Sequence, residues 1–462
     1  MQRVKKMRHL SRGNTDLILH GSLTRAILSI AVPVVINSFL QTMYNLTDTY
    51  WLGKLGKEQL AAISLVSPVQ SVIVSFGSGL TVAGAVLLAQ FIGAGKKEEA
   101  RKMANQIFAC AMLFSFVCVT LLEIATPSIV TWLGSDGETW RHAVVYLRTV
   151  AVDMPFLYTV NLFQAIRQAN GDTVRPMLLN LLGICINMVL DPLLMVALHW
   201  GAAGAGLATV IAKAVPACIV LYVLTRPSED SRLSLRLMKP EKAMLHEIVR
   251  IGLPTALGGS TMQFGFLLMS RNVYAYGVTA MAAYGIGNKV NGLISLPSNG
   301  IGSAVATITG QNMGANQPDR AEKGYRISMA CSVTFLLCGG LILSRPTVSS
   351  AIVSLFSADA EVIALAADFL SILSFWCFSN GIYNATAGLF QGAGHTEITM
   401  SIDAARLWVF RFAALFICEH LLHMGVRSVW YSVVISNGIS ALLLFLLYLT
   451  GLWRKNRVKL TP

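Results

Sequence analysis

The sequence predicts an all-α integral membrane protein of twelve transmembrane helices, built as two six-helix bundles that are parallel copies of one unit. Three observations carry this. The 462 residues are 54% hydrophobic and only 13% charged, against about 25% charged in soluble domains. Apolar runs long enough to cross a bilayer recur from end to end, without the alternating ten-residue segments of a membrane barrel. Residues 83–100, AGAVLLAQFIGAGKKEEA, return 221 positions later as AVATITGQNMGANQPDRA.

The repeat extends well beyond that match. The same offset pairs Gln90 with Gln311, Gly93 with Gly314, Gly79 with Gly300, Gly56 with Gly277 and Pro33 with Pro254. A second pair, RQANGDTVRPM and FQGAGHTEITM, aligns Gln168 with Gln391, Gly171 with Gly394 and Met177 with Met400 at an offset of 223. Duplicated membrane halves are a common way to build a transport site between bundles that rock.

The expected spans are 24–52, 60–92, 104–126, 138–168, 174–198 and 203–225 in the first half. In the second they are 245–276, 281–313, 322–343, 360–390, 397–421 and 426–452. Several exceed the roughly 20 residues that cross a bilayer, so they must tilt, kink or protrude. Pro33, Pro68, Pro155, Pro254 and Pro297 are the expected kink points. The organisation is therefore a first bundle over 1–225, a linker over 226–244 and a second bundle over 245–462. The linker region is polar, charged and punctuated by two prolines, with room for a short amphipathic helix at the membrane surface.

Charge sets the orientation. With the N-terminus inside, the inside segments 1–25, 96–102, 167–175, 226–250, 320–326 and 454–459 hold 25 of the 36 Lys and Arg residues. Outside loops hold Lys54, Lys57, Arg141, Arg345 and Arg427. This bias places both termini in the cytoplasm. Six spans per half then make the repeat parallel. The net charge of +13 resides in these loops, so it marks membrane topology rather than nucleic-acid binding. All eight cysteines fall in apolar segments without metal spacing. The basic N-terminal stretch MQRVKKMRHLSRG runs into polar residues, unlike a cleavable signal. There is no GxxxxGK[ST] and no HExxH, so neither P-loop ATP binding nor a zinc hydrolase is expected. An enzyme is not expected, nor is a cofactor. Energy must come from an ion gradient, or transport is passive.

Ionisable residues at mid-membrane are costly and mark function by default. Asp48 and Asp191 are two such residues, and their repeat positions are Met269 and Ala414, so the acids belong to the first copy alone. Asn187 lies four residues before Asp191, on the same helix face. Asp48, Asn187, Asp191 and Thr209 are expected to converge as an oxygen-rich cluster, completed by Tyr146 and Gln164. Two such carboxylates titrate as a coupled pair, which suits H⁺; the oxygen density also suits Na⁺. Lys213, four residues after Thr209, is placed to neutralise Asp191 and compete with a cation. Asp153 is a lesser candidate. In the second copy, Asp403 and Arg406 are spaced for an ion pair, and Met262, Phe266, Met269 and Tyr383 can supply an adaptable apolar wall for varied substrates.

In order and spacing, several of these segments resemble the multidrug and toxic compound extrusion (MATE) family. They are LSIAVPVVINS, NLTDTYWLGKLGKEQLAAISLVSP, AQFIGAGKKEEA, RQANGDTVRPM and NMVLDPLLM followed by GAAGAGLAT. The resemblance covers essentially the whole chain. It implies two six-helix bundles forming a V around a central cavity, and antiport of a drug-like, often cationic compound against H⁺ or Na⁺. In one branch the coupling residues lie in the N-terminal bundle, at positions matching Asp48, Tyr146, Asn187, Asp191 and Thr209. Gln164 stands where that branch has asparagine. Another branch uses an acid in the seventh span, where this chain has Met262 and Gln263. The resemblance thus points to coupling in the first bundle, with the first span bending at Pro33 when the acids are protonated. Lys213 departs from the family pattern. The expected partners are a small organic substrate and the bilayer, with no nucleic acid and a monomeric protein. The rival reading is a flippase for a lipid-linked sugar or another anionic lipid intermediate, with Arg271, Lys289, Arg406 and Arg411 lining a basic cavity.

Overall fold

A computed structural model describes residues 15–458, apart from 54–56, 135, 227–231 and 358. The basic stretch 1–14 and Lys54 therefore lie outside the described residues. Within them, the regular secondary structure is helical throughout. The helices are α1 (Leu23–Gly53), α2 (Lys57–Gly93), α3 (Lys97–Trp132), α4 (Gly137–Ala151), α5 (Met154–Ala169), α6 (Val174–Asp191), α7 (Gly201–Thr225) and α8 (Lys242–Tyr274). They continue as α9 (Val278–Gly314), α10 (Pro318–Leu343), α11 (Pro346–Val353), α12 (Ala360–Phe375), α13 (Phe378–Gly392), α14 (Thr396–Ala404), α15 (Phe412–Phe416) and α16 (Arg427–Leu449).

Among the described residues, seven helices are long and apolar enough to cross a membrane, or nine if each of two bent pairs is one span. The protein is thus a multi-pass membrane protein. Each of the other expected spans is also helical, but its apolar character is diluted. In α9, glycines, serines and asparagines interrupt the apolar run. Much of the polar content of its second half faces protein: Ser298, Thr307, Thr309, Gln311 and Asn312 are all buried.

The duplication is written in the backbone. Helices α4 and α5 meet at a bend of 43°, and their counterparts α12 and α13 at 50°. A left-handed residue follows α2 at Gly95 (φ 73°) and α9 at Asn316 (φ 55°). Gly171 (φ 77°) and Gly394 (φ 86°) do the same after α5 and α13. Glycine and asparagine tolerate that conformation best, which is why these turns keep them. Both copies also contain π-helical turns, at Pro192–Ala197 and at Ile417–Leu421, each followed by a histidine of positive φ.

Among the described residues two compact units result, one over 36–256 and one over 257–458 with 15–35. α1 is therefore divided after Val35. Its first part packs Ala26, Ile27, Ile30 and Ala31 against Ala304 and Ile308 of α9. In the first unit, α2 contacts α3, α4 and α5, and α6 packs along α7. In the second, α9 packs against α10, α12 and α13. There the backbones nearly touch: a Cβ on Gly388 would lie 2.3 Å from the Gly302 carbonyl oxygen, the small-residue packing typical of membrane helices.

The described part of the linker, from Arg232 on, is anchored to the first unit. Its short 3₁₀ turn, Leu235–Met238, is held by Asn105 and Gln106 of α3, both buried. Asn105 donates to the Arg232 carbonyl (3.1 Å) and accepts from the Ser234 amide (2.7 Å). Gln106 donates to the carbonyls of Leu237 (3.1 Å) and Lys239, and accepts from the Glu241 amide (3.2 Å). Removing Asn105 strands buried backbone groups at about 1–3 kcal/mol. Asn105→Ala is expected to speed tryptic cleavage at Arg232 and Arg236 by about tenfold in micelles. Unchanged cleavage would contradict the anchoring.

Candidate functional site

Two polar stripes face each other in the first unit. On α1, Asn37, Gln41, Tyr44 and Asp48 follow at spacings of four, three and four, one face of a helix. On α6, Asn180, Ile184, Asn187 and Asp191 repeat that spacing. The stripes are joined at one end by the Asn180 amide donating to Asn37 Oδ1 at 3.0 Å. At the other end Asp48 and Asp191 lie within electrostatic range of each other. Between them is a cavity of about 240 Å³, lined by Asn37, Gln41, Tyr44, Asn161, Gln164, Asn180, Asn187, Thr209 and Lys213 with apolar neighbours. The polar part of the lining is mostly amides, which both donate and accept.

Asp191 and Asn187 are each 1% exposed. Neither Asp191 oxygen, and neither polar atom of the Asn187 amide, has a hydrogen-bond partner among the described residues. The two side chains are close, one turn apart, but not in bonding geometry. Asp191 closes α6, and the chain continues from Pro192 as a π-helical turn. Such turns break the regular ladder and are frequent at functional sites. Proline also removes a backbone donor at this point.

The remaining predicted residues gather around this pair. Tyr44 stands within hydrogen-bonding reach of Thr209, whose hydroxyl also donates to the Ala205 carbonyl at 3.0 Å. Tyr146 lies within electrostatic range of Asp48, Asp153 and Asp191, packed against the apolar clusters of α2 and α4. Gln164 lines the cavity from α5. Asp48 is half-buried. Asn37, Gln41, Tyr44, Asn161 and Asn180 join the site without having been singled out from the sequence. The spacing of Asn37, Gln41 and Tyr44 ahead of Asp48 was the available signal.

Lys213 corrects an expectation. It lines the cavity, but its ammonium pairs with Asp153, not Asp191. Asp153 sits in the bend between α4 and α5 with its side chain 2% exposed. The bend aims this carboxylate at α7, so the lysine's charge is already matched. Among the described residues, Asp191 is left without a cationic partner.

The second unit differs. Met269 is no cavity wall: it is wholly buried in a cluster with Val273, Tyr284, Phe369 and Trp430. Ala414, the counterpart of Asp191, is buried too. Apolar packing thus occupies both positions where the first copy holds acids. Tyr383 is buried and donates to Asp403 Oδ1 at 2.6 Å. Asp403 pairs with Arg406 at 2.9 Å, as the sequence spacing predicts. Arg406 also reaches the Met262 sulfur at 3.2 Å. Phe266 is exposed.

A helical multi-pass membrane protein with a buried, half-satisfied polar site in one of two repeated units is the architecture of a carrier. Comparison with known proteins identifies the kind. The MatE family model matches residues 33–193 and 254–417, and the chain belongs to that family. It is similar to the multidrug export protein MepA of Staphylococcus haemolyticus, 26% identical over 432 residues covering 93% of this chain and 94% of that protein. It is also similar to the probable multidrug resistance protein NorM of Thermotoga maritima, 25% identical over 94% of each chain. A crystal structure of a MATE protein in complex with MaL6 matches with a TM-score of 0.89 and 26% identity, over 95% of this chain and 98% of that one.

Removing Lys213 should leave a buried, unpaired carboxylate at a cost of about 3–5 kcal/mol. Lys213→Met is expected to lower the unfolding temperature in detergent, and adding Asp153→Asn should recover most of the loss. A double variant no more stable than the single one would contradict the pairing.

Proposed function

We propose that this protein is a secondary active exporter that moves drug-like, often cationic organic compounds out of the cell by antiport against H⁺ or Na⁺. Family membership and the names of its relatives support export of small organic compounds. The single observation that carries the coupling is the Asp191–Asn187 pair, buried in a membrane-embedded bundle with its polar atoms unsatisfied. A buried charge with no partner costs several kcal/mol (about 3–5 when a partner is removed). Such a group persists where a ligand completes it.

A proton on Asp191 supplies the missing donor, because a protonated carboxyl can donate to the Asn187 carbonyl oxygen while an ionised one only accepts. A sodium ion would instead draw on the oxygens of Asp191, Asn187, Asp48 and Thr209. Tyr44, Tyr146 and Gln164 position that set, and the pairing of Lys213 with Asp153 keeps its charge from competing. In this reading the described helices belong to twelve spans, in bundles over 1–225 and 245–462 joined by 226–244. The bundles form a V-shaped cavity, both termini are cytoplasmic and the protein acts as a monomer. Pro33 lies two residues before the point where α1 passes between the units, and is the proposed hinge. Loading the acids bends α1 there and alternates access to the cavity.

In proteoliposomes with pH and Na⁺ gradients imposed separately, Asp191→Asn and Asp48→Asn are each expected to cut gradient-driven efflux of a fluorescent cation at least tenfold, the proteins remaining folded. Efflux at the wild-type rate by both variants would refute the coupling site. Wild-type efflux that neither gradient drives would refute antiport.

A further inference from the structure

Among the described residues, one cluster of the second unit holds more positive charge than its carboxylate neutralises. Residues Ala405–Arg411 form a π-helical segment. In an α-helix, residues five apart point in well-separated directions; a π-helix, bonded from i to i+5, stacks them on one face. The segment thereby aligns Arg406 with Arg411, and the two guanidiniums lie within electrostatic range of each other. Arg411 is 4% exposed. Its hydrogen bonds go to neutral groups, Ser436 Oγ at 3.0 Å and Asn437 Oδ1 at 3.1 Å, and it takes part in none of the ion pairs among the described residues. The nearby Asp403 is engaged by Arg406 and by the Tyr383 hydroxyl. Arg406 retains a buried Nε without a partner. Two cations and one carboxylate leave one positive charge, with unused donors, inside a membrane bundle. Beside it, Met262 and Phe266 lie four apart on one face of α8. Met262 touches Arg406, and the exposed Phe266 ring lies 5.8 Å from the Arg411 guanidinium.

We propose that Arg406 and Arg411 form an anion-binding subsite, which takes the carboxylate or phosphate of an amphiphilic compound whose apolar body rests on Met262 and Phe266. The planar guanidinium fork suits both oxyanions, and the bound group supplies the missing counter-charge. The proposal rests on the exporter reading and adds to its substrates, as the preferred ones, compounds that carry an anionic group, zwitterions included.

The test uses the full-length protein in micelles, at equilibrium and without a gradient, with rhodamine B and its ethyl ester, which differ in the free carboxylate. Fluorescence anisotropy should show the acid binding about tenfold more tightly than the ester. Arg411→Gln and Arg406→Gln should each weaken the acid about tenfold and leave the ester within about twofold. Asn437→Asp keeps both guanidiniums and sets a carboxylate against Arg411. It should abolish the preference even if an arginine variant does not fold. Competition by dihexanoylphosphatidate would extend the subsite to lipid phosphates; failure to compete would confine it to carboxylates, and either result upholds it. Equal wild-type binding of acid and ester, no binding of the acid, or an undiminished preference in Asn437→Asp would overturn it. Equal binding together with intact gradient-driven efflux would overturn this proposal and leave the exporter standing.

Discussion

Hydrocarbon offers no hydrogen bonds, so every polar atom carried into the bilayer must be matched inside the protein or held ready for a ligand. The backbone meets this demand by being helical. Hydroxyl side chains meet it locally: Ser71, Thr149, Thr225, Thr307 and Ser440 each donate to a carbonyl four residues back. Longer side chains meet it across helices, as Lys213 does with Asp153 and Asn180 with Asn37. Some neutral buried groups also lack partners, Ser332 Oγ and Trp430 Nε1 among them, but Asp191 beside Asn187 in the first unit and the surplus guanidinium of Arg406 and Arg411 in the second combine burial with unmatched charge.

The two units solve the same folding problem and then diverge at those points. The bends, left-handed turns and π-helical turns recur because each copy must pack its helices with the same geometry. The acids do not recur, since Met269 and Ala414 are packed into the second unit's core. In their place that unit carries guanidiniums on a π-helical stretch of its own. A duplicated scaffold with oppositely charged, incompletely matched sites can bind an ion in one copy and a substrate group in the other. The close backbone approach at Gly302 and Gly388 and the anchored linker give both sites a fixed frame.

Much of this was legible in the sequence. Hydrophobicity and the internal repeat predicted the helical class, the segment positions and the pairing of turns, because these depend on local composition. The carboxylates were legible because charge in an apolar run is conspicuous. The amides that complete the cavity were less so, since Asn37, Gln41 and Asn180 are cheap enough in membranes to pass as packing. Partner choice between helices was not readable. Lys213 faces Asp153 only because of the bend between α4 and α5, and Arg406 and Arg411 share a face only through a π-helical ladder that spacing by 3.6 does not foresee. The burial of Met269 likewise depends on Phe369 and Trp430, which are distant in sequence.

The central claim, that the Asp191 cluster binds the coupling ion and gives it up when substrate binds, can be read directly from proton release. Purified protein in weakly buffered, Na⁺-free micelles with a pH indicator is given saturating substrate. The account predicts release of about one proton per protein in the wild type, suppression of that release by Na⁺ if the ions share the site, and none from Asp191→Asn. Full release from Asp191→Asn, with substrate still bound, would contradict it.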